Sequence, residues 1–261
     1  MRPSVFFNID ASVLCLILFA GCILMVMAGK AVRTKFLQKD EQESKGGVNS
    51  LLGALFGLWG FVLAFTFGNS ATRFENVRSM MVEEASLIRN VLLRSETFPD
   101  SLQIGFRNDL KNYLEARIDY YELAGDPEKF DKTKRDAVSI GKSLWTRTVK
   151  ASQVQGFAPA GNGMMASLTS MFDIGTRRDA LLISGIPSPI SFMLGFLALV
   201  ISFVGGFTSP VLKPKEWVVI VGFVLLACTI IYITVDLARP MQGLIKPDVG
   251  QEKIAQLRNL F

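Results

Sequence analysis

Histidine is absent from all 261 residues. That removes imidazole as a proton shuttle or metal ligand. Only three cysteines occur, Cys15, Cys22 and Cys228, and each lies inside an apolar run. The long polar middle of the chain has none, so it holds no disulfide framework and no thiolate zinc site. Thiols in apolar helices read as small buried hydrophobes. No stretch alternates apolar and polar residues for long enough to be a strand. A phosphate loop is also missing. Gly161-Asn162-Gly163 lacks the strand–turn–helix context that such a loop needs, and Gly-x-Ser-x-Gly does not occur. The paired acids Glu83-Glu84 and Asp40-Glu41 are adjacent in sequence, so they diverge on a helix or lie in a loop. With no catalytic constellation, the chain reads as a non-enzyme with no cofactor and no metal site.

Charge is missing from four long runs: Ser12–Gly29, Ser50–Gly68, Ile190–Phe207 and Trp217–Val235. At about 1.5 Å per residue, each is long enough to cross a hydrocarbon core of about 30 Å. The runs form two close pairs around a polar block, Asn69–Pro189, which cannot sit in lipid. The layout is a transmembrane hairpin over 1–68, a helical extramembrane domain over 69–189, a second hairpin over 190–245 and a tail over 246–261, which Pro240 and Gly243 are expected to turn along the surface. The fold class is all-α, with four spans. The N-terminal run is longer than a signal-peptide core and follows Asp10, so it reads as a retained span.

The second run does not stop where its apolar character ends. Phe74, Val77, Met81, Ala85, Ile88 and Leu92 keep a helical period beyond Gly68, with Glu83 and Glu84 on the polar side. Span two is therefore expected to continue into solvent as one helix as far as Arg94, and Pro99-Asp100 to break it. Ser101 is the expected N-cap of the next helix, whose stripe runs through Leu102, Phe106, Leu110, Tyr113, Leu114, Ile118 and Tyr121. Gly125-Asp126-Pro127 predicts a turn with Asp126 as cap and Pro127 opening a third helix. That helix carries Phe130, Ala137, Ile140, Leu144 and Val149 on its apolar face. Gly156–Gly163 reads as a loop. A fourth helix is expected over Met164–Ile183, ending in a proline-rich joint at Ser184–Pro189.

Net charge is +5, a modest excess that suits basic loops at a membrane surface, with no aromatic-interleaved basic stripe for nucleic acid. The short loops carry Lys30, Arg33, Lys35, Lys39, Lys45, Lys213 and Lys215. Counted strictly, the positive-inside rule puts those loops in the cytoplasm and the large domain outside.

Three features are candidate sites. Gly53, Gly57, Gly60 and Ala64 form a small-residue stripe on span two, suited to close helix packing in the bundle, to contact between subunits, or to a wide pore. Thr66, Asn69 or Ser70, and Arg73 follow at helical spacing where span two leaves the membrane; they suit either a water-filled vestibule or the headgroup region. Arg73 is the best candidate for an anion-facing charge. Asp236 at the end of span four needs a partner, and Arg239 or Arg73 can supply one, as a structural ion pair or as a gate. Arg177-Arg178-Asp179 is expected to meet headgroups or to anchor its helix.

The run Phe65-Thr66-Phe67-Gly68-Asn69-Ser70-Ala71-Thr72-Arg73-Phe74-Glu75, with Glu83-Glu84-Ala85 and Ile88, has a counterpart near the C-terminus. That is Asp236-Leu237-Ala238-Arg239-Pro240-Met241-Gln242-Gly243-Leu244-Ile245. Together they resemble a bacterial family of bestrophin-like membrane proteins, in layout over nearly the whole chain. The family usually shows Asp where this chain has Ala238. The resemblance implies a homo-oligomer, pentameric in true bestrophins, in the bilayer of the bacterial inner membrane, with the helical domain cytoplasmic. It implies an ion channel for anions, with span two lining the pore. The pore-lining candidates are then Leu55, Leu58, Val62, Thr66, Asn69 and Arg73. No acidic calcium clasp is evident, so the resemblance does not extend to calcium gating. A proton-driven stator would need an acid within a span, and none is present. The other reading is a non-conducting scaffold or sensor whose helical domain binds a protein partner.

Overall fold

The structure is a computed structural model that describes residues 11–36, 45–122, 127–183, 188–208, 214–240 and 243–261. Among them there are eight α-helices and no strand. They are α1 (Ala11–Phe36), α2 (Lys45–Ser95), α3 (Asp100–Glu122), α4 (Pro127–Ser152), α5 (Ala158–Ile183), α6 (Ser188–Thr208), α7 (Pro214–Leu237) and α8 (Asp248–Gln256). A single 3-10 turn, Leu257–Leu260, closes the chain. Four helices are long and apolar enough to cross a membrane, over Ala11–Lys35, Ser50–Ser95, Pro189–Thr208 and Trp217–Leu237. The protein is a four-span, all-helical membrane protein.

The second of these segments is part of one helix of 51 residues. Its apolar half continues into its amphipathic half without a break, because nothing between Gly68 and Ser95 interrupts the helical pattern. The chain divides into two compact units. One draws on Met1–Thr72 and Gly185–Ala238, the other on Arg73–Ser184 and Arg239–Phe261.

In the first unit, α1 lies close against α6 and α7. Two glycines make the α1–α6 approach possible. A side chain at Gly29 would collide with the Phe203 carbonyl and come within 2.9 Å of the Phe207 amide nitrogen. One at Gly206 would collide with the Val26 carbonyl. In lipid such backbone contact stands in for the hydrophobic drive that helices lack there. Arg33 donates from Nη1 to the carbonyls of Phe207 (2.9 Å) and Thr208 (2.8 Å), capping the last turn of α6. The span of α2 belongs to the same apolar core. It attaches through side chains: Trp59 Nε1 donates to the Leu194 carbonyl at 3.3 Å, and Phe56 packs edge-on against Phe223 at 5.3 Å.

In the second unit the described core takes residues from α2, α3, α4, α5 and the tail. Three expectations need correction. Helix α3 begins at Asp100, and the amides of Leu102 and Gln103 bond to the Pro99 carbonyl, so Ser101 is already inside the helix. Helix α5 begins at Ala158, so most of the expected 156–163 loop is helical. Pro159 suits a first turn, where its missing N–H costs nothing. Gly161 and Gly163 stand where side chains would strike Ser152 and Arg94, so they serve packing. The turn itself needs only Gly156, at φ +88°. Finally, the tail is built in. Ile254 and Leu257 are core residues, Gly250 lies against Met81, and Arg258 grips Glu115 with two nitrogens. The expected turn at Gly125-Asp126 and the joint at Ser184–Pro187 lie outside the described residues. So do Asp10, Lys39, Asp40, Glu41, Lys213, Met241 and Gln242.

Candidate functional site

Two places concentrate polar or special residues. The first is the span of α2. At about 3.6 residues per turn, Gly53, Gly57, Gly60 and Ala64 share one side, and a side chain added at any of the three glycines would meet nothing within 4 Å. So, among the described residues of one protomer, the glycine stripe packs on no helix. Leu55, Val62 and Thr66 lie on the opposite side. Leu55 and Val62 are half-buried against the protomer's own bundle, with Trp59 and Leu63. Thr66 is 3% exposed and Ser70 fully buried. Their hydroxyls donate back into the helix, Thr66 to the Val62 carbonyl at 2.7 Å and Ser70 to the Thr66 carbonyl at 2.9 Å. A hydroxyl satisfied in its own helix needs no water. Leu58 and Asn69 are exposed. Arg73, half-buried, donates from Nη2 to the Leu181 carbonyl. Asp236 is 1% exposed and Arg239 is half-buried.

The second place is a buried charge cluster in the other unit. Glu84 of α2, expected on the polar side, has no exposed surface. Arg117 of α3 donates from Nε to its Oε1 at 2.8 Å, and Arg178 of α5 donates from Nη1 to its Oε2. Both guanidiniums also reach Asp179 Oδ1 at 3.3 Å. Aromatic faces complete the enclosure. Arg117 lies 4.9 Å from the Tyr120 ring centroid, and Arg178 lies 4.6 Å from that of Tyr121. Two cations and two carboxylates balance, which is what burial of four such groups demands. Burial pushes the Glu84 carboxyl up to about 7, against the pull of Arg117. Burial also raises Asp179, again opposed by Arg117. Burial works against the Arg117 charge, yet Glu84 beside it holds its value above the ordinary arginine range.

Arg178 is thus a buried partner of Glu84 rather than a headgroup contact. The signal for it was present in the register. Glu84 falls three after Met81 and four before Ile88, on the stripe itself. Arg117 falls four after Tyr113, and Arg178 seven after Met171. Charged residues in register with core positions announce a buried network.

No curated protein and no solved structure matches the chain. A family model described as Bestrophin-like domain matches residues 19–246, from within α1 through the helical block to just past the end of the last span, and the chain belongs to that bestrophin-like family.

Proposed function

We propose that the protein is the protomer of an oligomeric ion channel that conducts anions, with the span of α2 facing the axis. The observation that carries this reading is the open side of α2: three glycines at which an added side chain would meet nothing within 4 Å. Small residues on a span support a close contact with another membrane helix, here a second copy. Between that stripe and the half-buried side lie Leu58 and Asn69, the two pore-lining candidates exposed in the protomer. In a ring of copies they are the residues best disposed toward an axis, Leu58 as an apolar constriction and Asn69 as a polar exit. Several Arg73 charges around one mouth would add their fields and raise the local anion concentration. Asp236 with Arg239 or Arg73 is the ion pair expected at the span ends. The reading assigns no catalytic step.

The test is flux in liposomes. Arg73→Glu lowers anion flux or reverses charge selectivity, while Arg107→Glu in the helical domain changes little. A thiol reagent blocks Asn69→Cys but not the parent protein. A purified, assembled oligomer that passes no ions rejects the channel in favour of a scaffold whose helical domain binds a partner.

A further inference from the structure

Helices α3, α4 and α5 line an open-mouthed cavity of about 350 Å³ that the charge cluster only borders. It is lined wholly by residues of the second unit and does not depend on the channel reading. Its shape comes from two glycines. A side chain at Gly141 of α4 would stand 3.1 Å from the Phe172 ring, and one at Gly175 of α5 would stand 3.6 Å from Arg117 Nη2 and from the Tyr113 hydroxyl. Without those side chains, a ring, a guanidinium and a phenol reach the cavity wall.

The wall has two characters. Phe172 and Trp145 supply apolar flat surface; Tyr113 meets Phe172 edge-on at 6.2 Å, and Trp145 is 38% exposed, more than its size predicts for a mere core residue. The charge is one-sided. Lys134, Lys142 and Arg117 line the cavity, against Asp179 alone. Asp179 is already engaged by Arg117 and Arg178. Neither lysine makes an ion pair among the described residues. They sit eight residues apart on α4, with Gly141 and Trp145 on the same face. Tyr113 lines the cavity, and its hydroxyl stands with Arg117 Nη2 beside the space that Gly175 leaves open. Burial pushes that hydroxyl upward, so it stays a neutral donor.

We infer that this cavity binds a small organic anion with a planar apolar body, an aryl carboxylate or sulfonate. Its ring lies between Phe172 and Trp145, and its acid group accepts from Tyr113 and meets Lys134 and Lys142. The size fits, since ligand pockets begin at about 300 Å³. The geometry also sets the preference. A neutral aromatic leaves the lysines unused, and an inorganic anion leaves the rings bare.

The test uses the full chain in nanodiscs and 1-naphthalenesulfonate as probe, followed by isothermal titration calorimetry with empty nanodiscs subtracted. The expected result is saturable binding with a Kd under about 1 mM. Naphthalene-1-sulfonamide, the neutral counterpart, binds at least about tenfold more weakly, and sulfate gives no saturable heat. Lys142→Glu and Trp145→Ala each weaken the probe about tenfold, and Gly141→Leu, which fills the cavity, abolishes binding. Lys150→Glu, on the same helix outside the cavity, binds like the parent. Each variant is compared only where its circular dichroism and thermal melt match the parent. Lys142 and Trp145 are exposed enough that their changes leave the fold intact. No saturable binding to the parent, equal binding of the sulfonamide, or unchanged binding in Gly141→Leu and Lys142→Glu each overturns the assignment.

Discussion

Glu84 sits without exposed surface between two guanidiniums, and its neighbour Glu83 is in solvent. The two residues therefore respond differently to change. Removing one cation from a buried, balanced cluster leaves an uncompensated carboxylate, so Arg178→Met destabilises the helical unit by about 3 kcal/mol, read by chemical denaturation. Arg177→Met, next to it but exposed, shifts stability by less than about 0.5 kcal/mol. Equal effects from the two would mean that the cluster is solvated. The same burial predicts a pH dependence. The Glu84 carboxyl lies near 7 in the folded protein, against about 4.3 in an unfolded chain. Between those values the folded unit holds a proton that the unfolded chain has released. This stabilisation is complete below about pH 4 and is lost as pH rises through 7. Denaturation midpoints measured at several pH values from 5 to 8 should fall across that window, and Glu84→Gln should flatten the slope. A midpoint that rises with pH would show the carboxylate to be held ionised by its two arginines.

At the scale of elements, the glycines divide into those that fill a contact and those that face open space. Gly29 and Gly206 let α1 and α6 touch backbone to backbone, whereas Gly57 meets nothing within its protomer. Gly206→Val drives a side chain into the Val26 carbonyl and costs about 3 kcal/mol or more, so the variant should lose folded protein on extraction into detergent. Gly57→Leu should leave the protomer's melting temperature unchanged but alter its oligomeric mass. A Gly57→Leu protein of parental mass and stability means that the stripe faces lipid. Helix α2 is an element of another kind. Its apolar half is built for lipid and its amphipathic half for a water-facing core, and one uninterrupted backbone ladder serves both.

For the whole molecule, assembly is the measurable question. A channel with α2 at its axis requires a closed ring, so native mass spectrometry of detergent-extracted protein should give a fixed multiple of 28.8 kDa, five by the family resemblance. A monomer throughout would remove the basis for a pore. Orientation is tested with Ser101→Cys, an exposed position in the helical domain. With the domain in the cytoplasm, an impermeant maleimide labels this thiol only after the cells are opened. Labelling of intact cells would instead support the positive-inside count.

Chemistry that needs only local order was legible in the chain. Lipid excludes charge, so four uncharged runs of the right length marked four spans. Helical periodicity carried α2 past the membrane to within one residue of its end at Ser95. Pro127 opened α4 where a proline is tolerated. What depends on a partner distant in sequence was not legible. The Glu84–Arg117–Arg178–Asp179 cluster joins three helices, and adjacency to Glu83 made Glu84 look like a surface acid. Glycine and proline at 156–163 suggested a loop, because packing against Ser152 and Arg94, which repays glycine's helical cost, cannot be seen locally. The tail looked like a surface segment because α8 is short, and only the hole it fills beside Met81 explains its burial. Thr66 read as a wet residue, but its hydroxyl bonds inside its own helix and its side chain is closed within the bundle. Periodicity says which residues share a face. Only the neighbours decide what that face meets.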